Sequence, residues 1–509
     1  MRSRKALLNT IAGLLYECVA IICGFVLPRF ILQFFGSDYN GITSSITQFL
    51  SCVGLFQMSI SGVTRAALYK PLAESDTQRV SAILKSTEQF MRKVAVLFAG
   101  CVVVFSFVYP YFVRNNFGWF FSCTLVLIIA VSTFVQYYFG VTYQMLLAAD
   151  QKQGVLYLIQ MVTLVLNTAI SIILVVNGAS IHVVKLGSAV AFCFNPVLIN
   201  WYVYRHYKID RNAKPDYRAM AQRWDAFAQA AATFIHNNTS IMVLTVFSSV
   251  FEVSVFTVYY MVCNGLKTFL KTFTSSIGAA FGNMLAKGEE AIMQKNMDIF
   301  EYVGVTFTTV IFTVAGIMMI PFIHVYTSGI TDVEYIRPWF SLIMVLGMAF
   351  FCYRIPYQSI IEAAGHYKQT RNGALLEAVS GIVISIVTVI YFGLIGVAIG
   401  ALVSSLIRTA NYVVYLSNHI LHRSSWLFIK QIGTSFLIAL LTYLASDAIG
   451  IIQADSYVSF ALHGLVCGLL CVAWTLLISI IFYKNTMSAF ARMFRNALLV
   501  KLGKNKQKD

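Results

Sequence analysis

The sequence has few charged residues and little else that would keep a folded chain in water. Only 11% of its 509 residues are charged, against about 25% in an ordinary soluble domain. This composition excludes a soluble globular enzyme and a disordered chain. The chain also lacks the GxxxxGK[ST], HExxH and GxSxG motifs and any loop long enough for a catalytic domain. We therefore predict no enzymatic activity and no cofactor.

Apolar residues make up 58% of the chain, and the mean hydropathy is +0.74. A transmembrane helix needs about 20 apolar residues. The apolar runs predict an all-α polytopic membrane protein with about 14 transmembrane helices, or 12 if two runs are divided too finely. The predicted spans are 6–34, 41–66, 88–112, 118–146, 154–176, 181–204, 225–248, 251–284, 299–326, 337–363, 372–391, 394–417, 430–451 and 457–483.

The positive charges are distributed unevenly between the loops. Of the 37 Lys and Arg residues, 28 lie in segments on the side of the N-terminus, three on the other side and six in spans or at their edges. This bias predicts a multi-pass cell-membrane protein with both termini in the cytoplasm. The first apolar run continues past Phe35 and contains Glu17, which indicates a first span and not a cleaved signal peptide. All ten cysteines fall inside spans, where we interpret them as packing residues and not as metal ligands.

Two stretches resemble each other at an offset near 215 residues. They begin at Leu146 and Ile361 and read LLAADQKQGVLYLIQ and IEAAGHYKQTRNGALLE. The repeat predicts two six-helix bundles of the same orientation, related by a pseudo-two-fold axis along the membrane normal, plus two C-terminal helices. The predicted parts are the N-terminal bundle 1–204, a cytoplasmic linker 205–224, the C-terminal bundle 225–417, two extra helices 418–483 and a basic amphipathic tail 484–509.

Several polar and charged residues recur at helical spacing inside the spans. Asn264, Lys267 and Lys271 share one face of span 8, while Arg354 and Arg408 lie in spans 10 and 12. An ionised residue at bilayer depth costs about 2.5–3.5 kcal/mol, so each needs a wet or paired environment.

These residues predict a net positive, water-filled cavity between the two bundles. Such a cavity suits an anionic head group such as phosphate, which Arg and Lys bind. The alternative for each cation is an internal pair or a side chain that reaches the interface; Arg354, for example, has Glu362 and Glu377 as candidate partners. The candidate substrate-binding residues are Asn264, Lys267, Lys271, Arg354, Arg408 and Arg29, and the acids to test for ion coupling are Glu17 and Glu377.

The segment from Leu27 resembles the N-terminal signature of the polysaccharide and O-antigen flippases. Arg29, Gly36, Gly41 and the stretch YKPLAE at 69–74 stand at that family's positions, although Phe35 replaces its usual leucine. LLAADQK at 146–152, EAAGHYKQT at 362–370 and AAFGNMLAKGE at 279–289 resemble further motifs of the family.

The resemblance covers roughly residues 1–420 and implies membership of the multidrug/oligosaccharidyl-lipid/polysaccharide exporter superfamily. It implies two six-helix bundles around a cavity and a flippase that moves undecaprenyl-pyrophosphate-linked oligosaccharide from the inner to the outer leaflet by alternating access. The expected partners are this lipid-linked substrate, membrane lipids and, as further candidates, a polysaccharide polymerase and other envelope-assembly proteins. No nucleic-acid partner is expected.

Two other functions remain open on the residues alone. A cation-coupled multidrug antiporter of the same superfamily would need a mainly acidic cavity, whereas the polar rows here are basic. A membrane scaffold without transport activity would have no use for costly intramembrane cations.

Overall fold

The computed structural model describes residues 2–113, 117–210, 212–217, 223–286, 290–364 and 366–492. Within these ranges the secondary structure is helical, as the apolar runs predict, because a helix satisfies its backbone hydrogen bonds without water. The helices are α1 (Arg2–Phe35), α2 (Ser37–Leu50), α3 (Gly54–Ala73), α4 (Thr77–Val108), α5 (Pro110–Val113), α6 (Trp119–Val135), α7 (Val141–Ala149), α8 (Gln153–Val176), α9 (Ile181–His206), α10 (Arg223–Phe247), α11 (Val250–Ala286), α12 (Glu290–Tyr326), α13 (Pro338–Tyr353), α14 (Ile355–Ala363), α15 (Tyr367–Phe392), α16 (Leu394–His419), α17 (Trp426–Ile449) and α18 (Tyr457–Phe482).

In the described part of the chain, 13 helical segments are long and apolar enough to cross a membrane. The predicted span 225–248 coincides with α10, whose described apolar part is Asn238–Phe247. Large apolar side chains point outward from these helices, and Phe120 and Ile481 are 75% and 71% exposed. An apolar exterior of this extent is what contact with lipid requires. The predicted all-α polytopic fold is confirmed.

The chain divides into two compact units. Unit 1 comprises Met1–Thr257 and Gly329–Val333, and unit 2 comprises Val258–Ser328 and Glu334–Asp509. The predicted division at 204, 225, 417 and 483 stays a prediction. The part of the predicted tail beyond Arg492 lies outside the described residues.

Each unit has its own apolar core. In unit 1, Ile42 and Ile46 of α2 pack with Met91 of α4 and Leu125 of α6, and all four side chains are fully buried. In unit 2, Ile360 of α14 packs with Leu416 of α16 and neighbouring side chains. In both cores a short helix packs with a long one, α2 with α4 in unit 1 and α14 with α16 in unit 2.

An interrupted span occurs at the matching place in each unit. The fourth span of unit 1 is broken between α6 and α7 by a π-helical turn at Gln136–Gly140. The span formed by α13 and α14 in unit 2 is broken at Arg354. The following helices also correspond: α8 and α15 begin 214 residues apart, at Gln153 and Tyr367. The helices therefore recur at the offset that the sequence repeat predicts.

Candidate functional site

Three charged residues meet inside unit 2. Arg354 Nη1 lies 2.7 Å from Glu377 Oε1, and Arg408 Nε lies 3.5 Å from Glu377 Oε2. The three residues are 4%, 6% and 5% exposed. Arg354 comes from the break between α13 and α14, Glu377 from α15 and Arg408 from α16. The carboxylate thus holds two guanidinium groups that would otherwise be buried without a counter-charge.

Arg408 is held by neutral partners as well. Its Nη1 donates to the carbonyl oxygen of Thr370 at 2.8 Å, and its Nη2 donates to the Tyr412 hydroxyl at 2.6 Å. A Cβ atom on Gly373 would overlap Asn411 Oδ1 and lie 2.6 Å from Arg408 Nη1, so glycine at this position leaves room for both side chains. These contacts fix the orientation of Arg408 and, through Glu377, that of Arg354.

Lys267 lies next to this charged group. The ring of Phe351 contacts both cations, with Arg354 Cζ 4.3 Å and Lys267 Nζ 5.2 Å from its centroid. The ring of Tyr260 is 5.8 Å from the same ammonium group. Within the ranges that the structure describes, Lys267 forms no hydrogen bond and no ion pair. Its half-buried ammonium therefore has aromatic faces around it but no counter-charge.

The remaining predicted residues of α11 extend this site along one helix. Asn264 and Lys267 are half-buried and Lys271 is exposed, at spacings that place them on one face. Arg354 and Arg408 share the Glu377 carboxylate, and Lys267 lies across the Phe351 ring from Arg354, so this group of unit 2 is net positive. The arrangement favours an anion as the ligand.

Glu17 and Arg29 lie on α1 of unit 1 and are both half-buried. They are 12 residues apart, which separates them by roughly 18 Å along a helix. In the described part of the chain, Glu17 forms no hydrogen bond and no ion pair. The assignment of these two residues to substrate binding and ion coupling stays a prediction.

A second charged cluster in unit 2 was not predicted from the sequence. Glu301 of α12 is fully buried and accepts hydrogen bonds from the Tyr357 hydroxyl and from Arg423. Arg423, in the segment after α16, also donates to Asp298. Burial lowers the pKa of Arg423, but the Glu301 carboxylate outweighs this effect and holds the pKa above its usual value. The available signal was Glu301 itself, an acid inside predicted span 9 that needs a counter-charge.

The described residues include no group of three or more His, Cys, Asp or Glu side chains that could hold a metal ion. The ten cysteines are free thiols, five of them buried and three exposed, and their packing role stays a prediction. No residue set in these ranges indicates a resident cofactor.

The fold is shared with solved membrane transport proteins. The lipid II flippase MurJ in an inward closed conformation has a TM-score of 0.73 at 14% identity, covering 94% of this chain and 100% of that one. A multidrug resistance MATE family transporter of the MOP superfamily, inward-facing, has a TM-score of 0.59 at 11% identity, covering 80% and 98%. A eukaryotic MATE transporter has a TM-score of 0.57 at 14% identity, covering 81% and 95%.

No family model and no curated protein matches the sequence. At these identities, the likeness to solved structures concerns the fold. It is the fold of the superfamily that the sequence resemblance implies, so that prediction is confirmed at the level of the fold. The chain is a multi-pass membrane protein.

Proposed function

We propose that the protein is a flippase that moves undecaprenyl-pyrophosphate-linked oligosaccharide from the inner to the outer leaflet of the cell membrane. The transfer would serve the synthesis of a cell-surface polysaccharide and would proceed by alternating access. The shared fold supports a transporter or flippase and not an enzyme. The resemblance of residues 27–74 to the polysaccharide flippases supports the glycan-bearing lipid as the substrate.

The observation that carries this proposal is Lys267. An ammonium group held in a membrane-spanning helix is costly, and here no described carboxylate offsets the cost. A pyrophosphate would supply the missing negative charge and would also attract Lys271 on the same face of α11. The lipid tail would stay in the bilayer during transfer, so only the head group would cross the polar path.

The buried residues Arg354, Glu377 and Arg408 have a different role in this proposal. Arg354 and Arg408 already share Glu377, so we assign them to positioning: Arg408 holds Glu377, and Arg354 contacts the Phe351 ring that also faces Lys267. Asn264, one turn before Lys267, would supply an amide to the sugar or the phosphate. Both carboxylate oxygens of Glu377 contact arginines, so Glu377 would balance the charge of Arg354 and Arg408 and would not bind a coupling ion. Of the two acids predicted for ion coupling, this leaves Glu17.

We infer the orientation from the distribution of charge and the partners from the proposed substrate. The excess of Lys and Arg in alternate loops supports cytoplasmic termini. The natural partners of such a protein are the enzymes that build the lipid-linked oligosaccharide and the polymerase that consumes it on the other side.

The second candidate is a cation-coupled multidrug antiporter. MATE transporters share the fold, and the half-buried Glu17 would suit a proton or a sodium ion. The net positive group around Lys267 opposes this function, because an organic cation would be repelled there.

Ligand stabilisation separates the two functions. Purified protein is melted with an undecaprenyl-pyrophosphate saccharide or with a lipophilic organic cation. A ligand at about 100 times its Kd stabilises the folded state by roughly 2.7 kcal/mol. We expect stabilisation by the pyrophosphate lipid in the wild type and its loss in Lys267→Gln.

The matched control is Lys430→Gln. Lys430 Nζ lies 5.1 Å from the Tyr483 ring and 5.6 Å from the Phe482 ring, so it has the aromatic contacts of Lys267 but an exposed position. This variant should keep the full shift. Stabilisation by the organic cation alone would overturn the flippase and make Glu17 the central residue.

A further inference from the structure

Unit 1 contains a small polar cavity at the end where α4 begins and α9 ends. Its volume is about 150 Å³. Charged and phenolic side chains line it: Lys85, Glu88 and Arg92 of α4, Tyr143 of α7, Tyr204 of α9, and Asp210 from the segment that follows α9. This is a different unit from that of Lys267, so the cavity is not part of the site proposed above.

Most of the polar groups in the cavity wall already have partners. Arg92 Nη2 lies 2.5 Å from Glu88 Oε1, and the hydroxyls of Tyr143 and Tyr204 are 3.1 Å apart. Asp210 Oδ1 accepts a hydrogen bond of 2.8 Å from the backbone amide of Asn212. Lys85 is the exception: among the residues that the structure describes, it makes no hydrogen bond and no ion pair. Half-buried Lys85 therefore lines the cavity without an ion-pair partner among the described residues.

The corresponding positions in unit 2 carry charged side chains that pair with each other. Tyr357 is the third residue of α14, as Tyr143 is the third residue of α7. Arg423 follows the end of α16 by four residues, as Asp210 follows the end of α9. In unit 2 the chain supplies both charges, because Arg423 reaches the buried Glu301. In unit 1 Lys85 and Asp210 line the same cavity, but no ion pair between them is formed within the described residues, so both charges are open to a ligand.

We propose that this cavity binds a small phosphate ester. The phosphate would contact Lys85, which binds phosphate as a point charge. The Asp210 carboxylate in the same wall would accept a hydrogen bond from a hydroxyl or ammonium group on the alcohol part. The volume is below that of pockets for drug-sized ligands, which excludes nucleotides and oligosaccharides. Glycerol phosphate and phosphoethanolamine have this chemistry, either free or as phospholipid head groups.

The test uses the full-length protein in detergent and in lipid nanodiscs. The soluble probes are glycerol 3-phosphate and phosphoethanolamine, with glycerol as the neutral control, and the readouts are the melting temperature and 31P line broadening. The nanodiscs contain phosphatidylglycerol, phosphatidylethanolamine or phosphatidylcholine. We expect at least one phosphate probe to stabilise the wild type, and Lys85→Gln to weaken its binding about tenfold or more, the size of a lost charged hydrogen bond.

The matched control is Lys93→Gln, which removes an exposed lysine from the same helix. Lys93→Gln should bind the probe like the wild type, and Lys85→Arg should restore most of the binding. A response to the soluble esters identifies a free phosphate ester, and a response to the anionic or ethanolamine lipids alone identifies a head group.

The proposal is overturned if no phosphate probe binds, or if Lys85→Gln binds it as tightly as the wild type. The pyrophosphate-lipid shift of the proposed flippase site is measured separately and should not change in Lys85→Gln.

Discussion

The two units use the same pair of helix positions for different chemistry. The eleventh residue of α8 and the fifteenth of α9 are Thr163 and Asn195, and the Asn195 amide donates to the Thr163 hydroxyl at 3.3 Å. The eleventh residue of α15 and the fifteenth of α16 are Glu377 and Arg408, which form an ion pair at 3.5 Å. At these positions α8 and α9 of unit 1 are joined by neutral groups, whereas α15 and α16 of unit 2 are joined by charged groups.

The break in the preceding span shows the same difference. In unit 1 it ends at Gly140, where an added Cβ would lie 2.9 Å from Pro196 Cβ of α9. In unit 2 the break is Arg354, whose guanidinium reaches Glu377. Unit 1 forms the interruption between α6 and α7 and the contact between α8 and α9 without charged residues. The fold of a unit therefore does not require the charges of Arg354, Glu377 and Arg408. We infer that unit 2 keeps these charges for function, as support for Lys267.

The largest effect should come from removing the shared carboxylate. Glu377→Gln leaves Arg354 and Arg408 buried with no counter-charge. Breaking a buried ion pair in this way costs about 3–5 kcal/mol. We expect a large fall in the melting temperature of the detergent-solubilised protein. An unchanged melting temperature would mean that the two arginines reach solvent or lipid phosphate and do not depend on Glu377.

Gly140→Ala tests the uncharged break in unit 1. The new Cβ would crowd Pro196, and overpacking of this kind costs about 1–3 kcal/mol. Gly100→Ala on α4 is the matched control, because no atom lies within 4 Å of its added Cβ. We expect the first variant to melt below the wild type and the second to melt within error of it or slightly above. Equal melting of the two variants would contradict the close approach of α9 to the break.

Thr163→Val should have the smallest effect of the three. It removes the acceptor of the Asn195 amide, and hydrogen bonds of this kind within membranes contribute about 0.6 kcal/mol. A loss comparable to that of Glu377→Gln would show that the neutral pair is as necessary as the charged one. The inference that unit 2 keeps its charged residues for function would then be wrong.

The sequence predicts the fold well because lipid leaves a buried segment few alternatives to a helix. It also predicts Arg354, Glu377 and Arg408 in three consecutive spans and names Glu362 and Glu377 as candidate partners of Arg354. The choice between Glu362 and Glu377 needed the structure, in which Glu362 accepts a hydrogen bond from Gln358 instead. Periodicity shows which face of one helix a residue occupies, but not which neighbouring helix that face meets.

The features that the sequence did not reveal depend on contacts distant in the chain. Glu301 and Arg423 are 122 residues apart. The cavity of unit 1 exists because the segment after α9 returns to α4, where Asp210 N donates to Ser81 Oγ at 3.0 Å and Asp216 N donates to the Ala82 carbonyl at 3.2 Å. Neither contact follows from apolar runs or from charge counts.

The central claim is that Lys267 binds the anionic head group during transfer, and leaflet transfer in proteoliposomes tests it most directly. A labelled undecaprenyl-pyrophosphate saccharide is followed in wild type, Lys267→Gln, Lys267→Arg and Lys430→Gln at equal protein amounts. We expect transfer to fall about tenfold or more in Lys267→Gln, the size of a lost charged hydrogen bond, and to persist in the other two variants. Transfer by Lys267→Gln at the wild-type rate would contradict the claim.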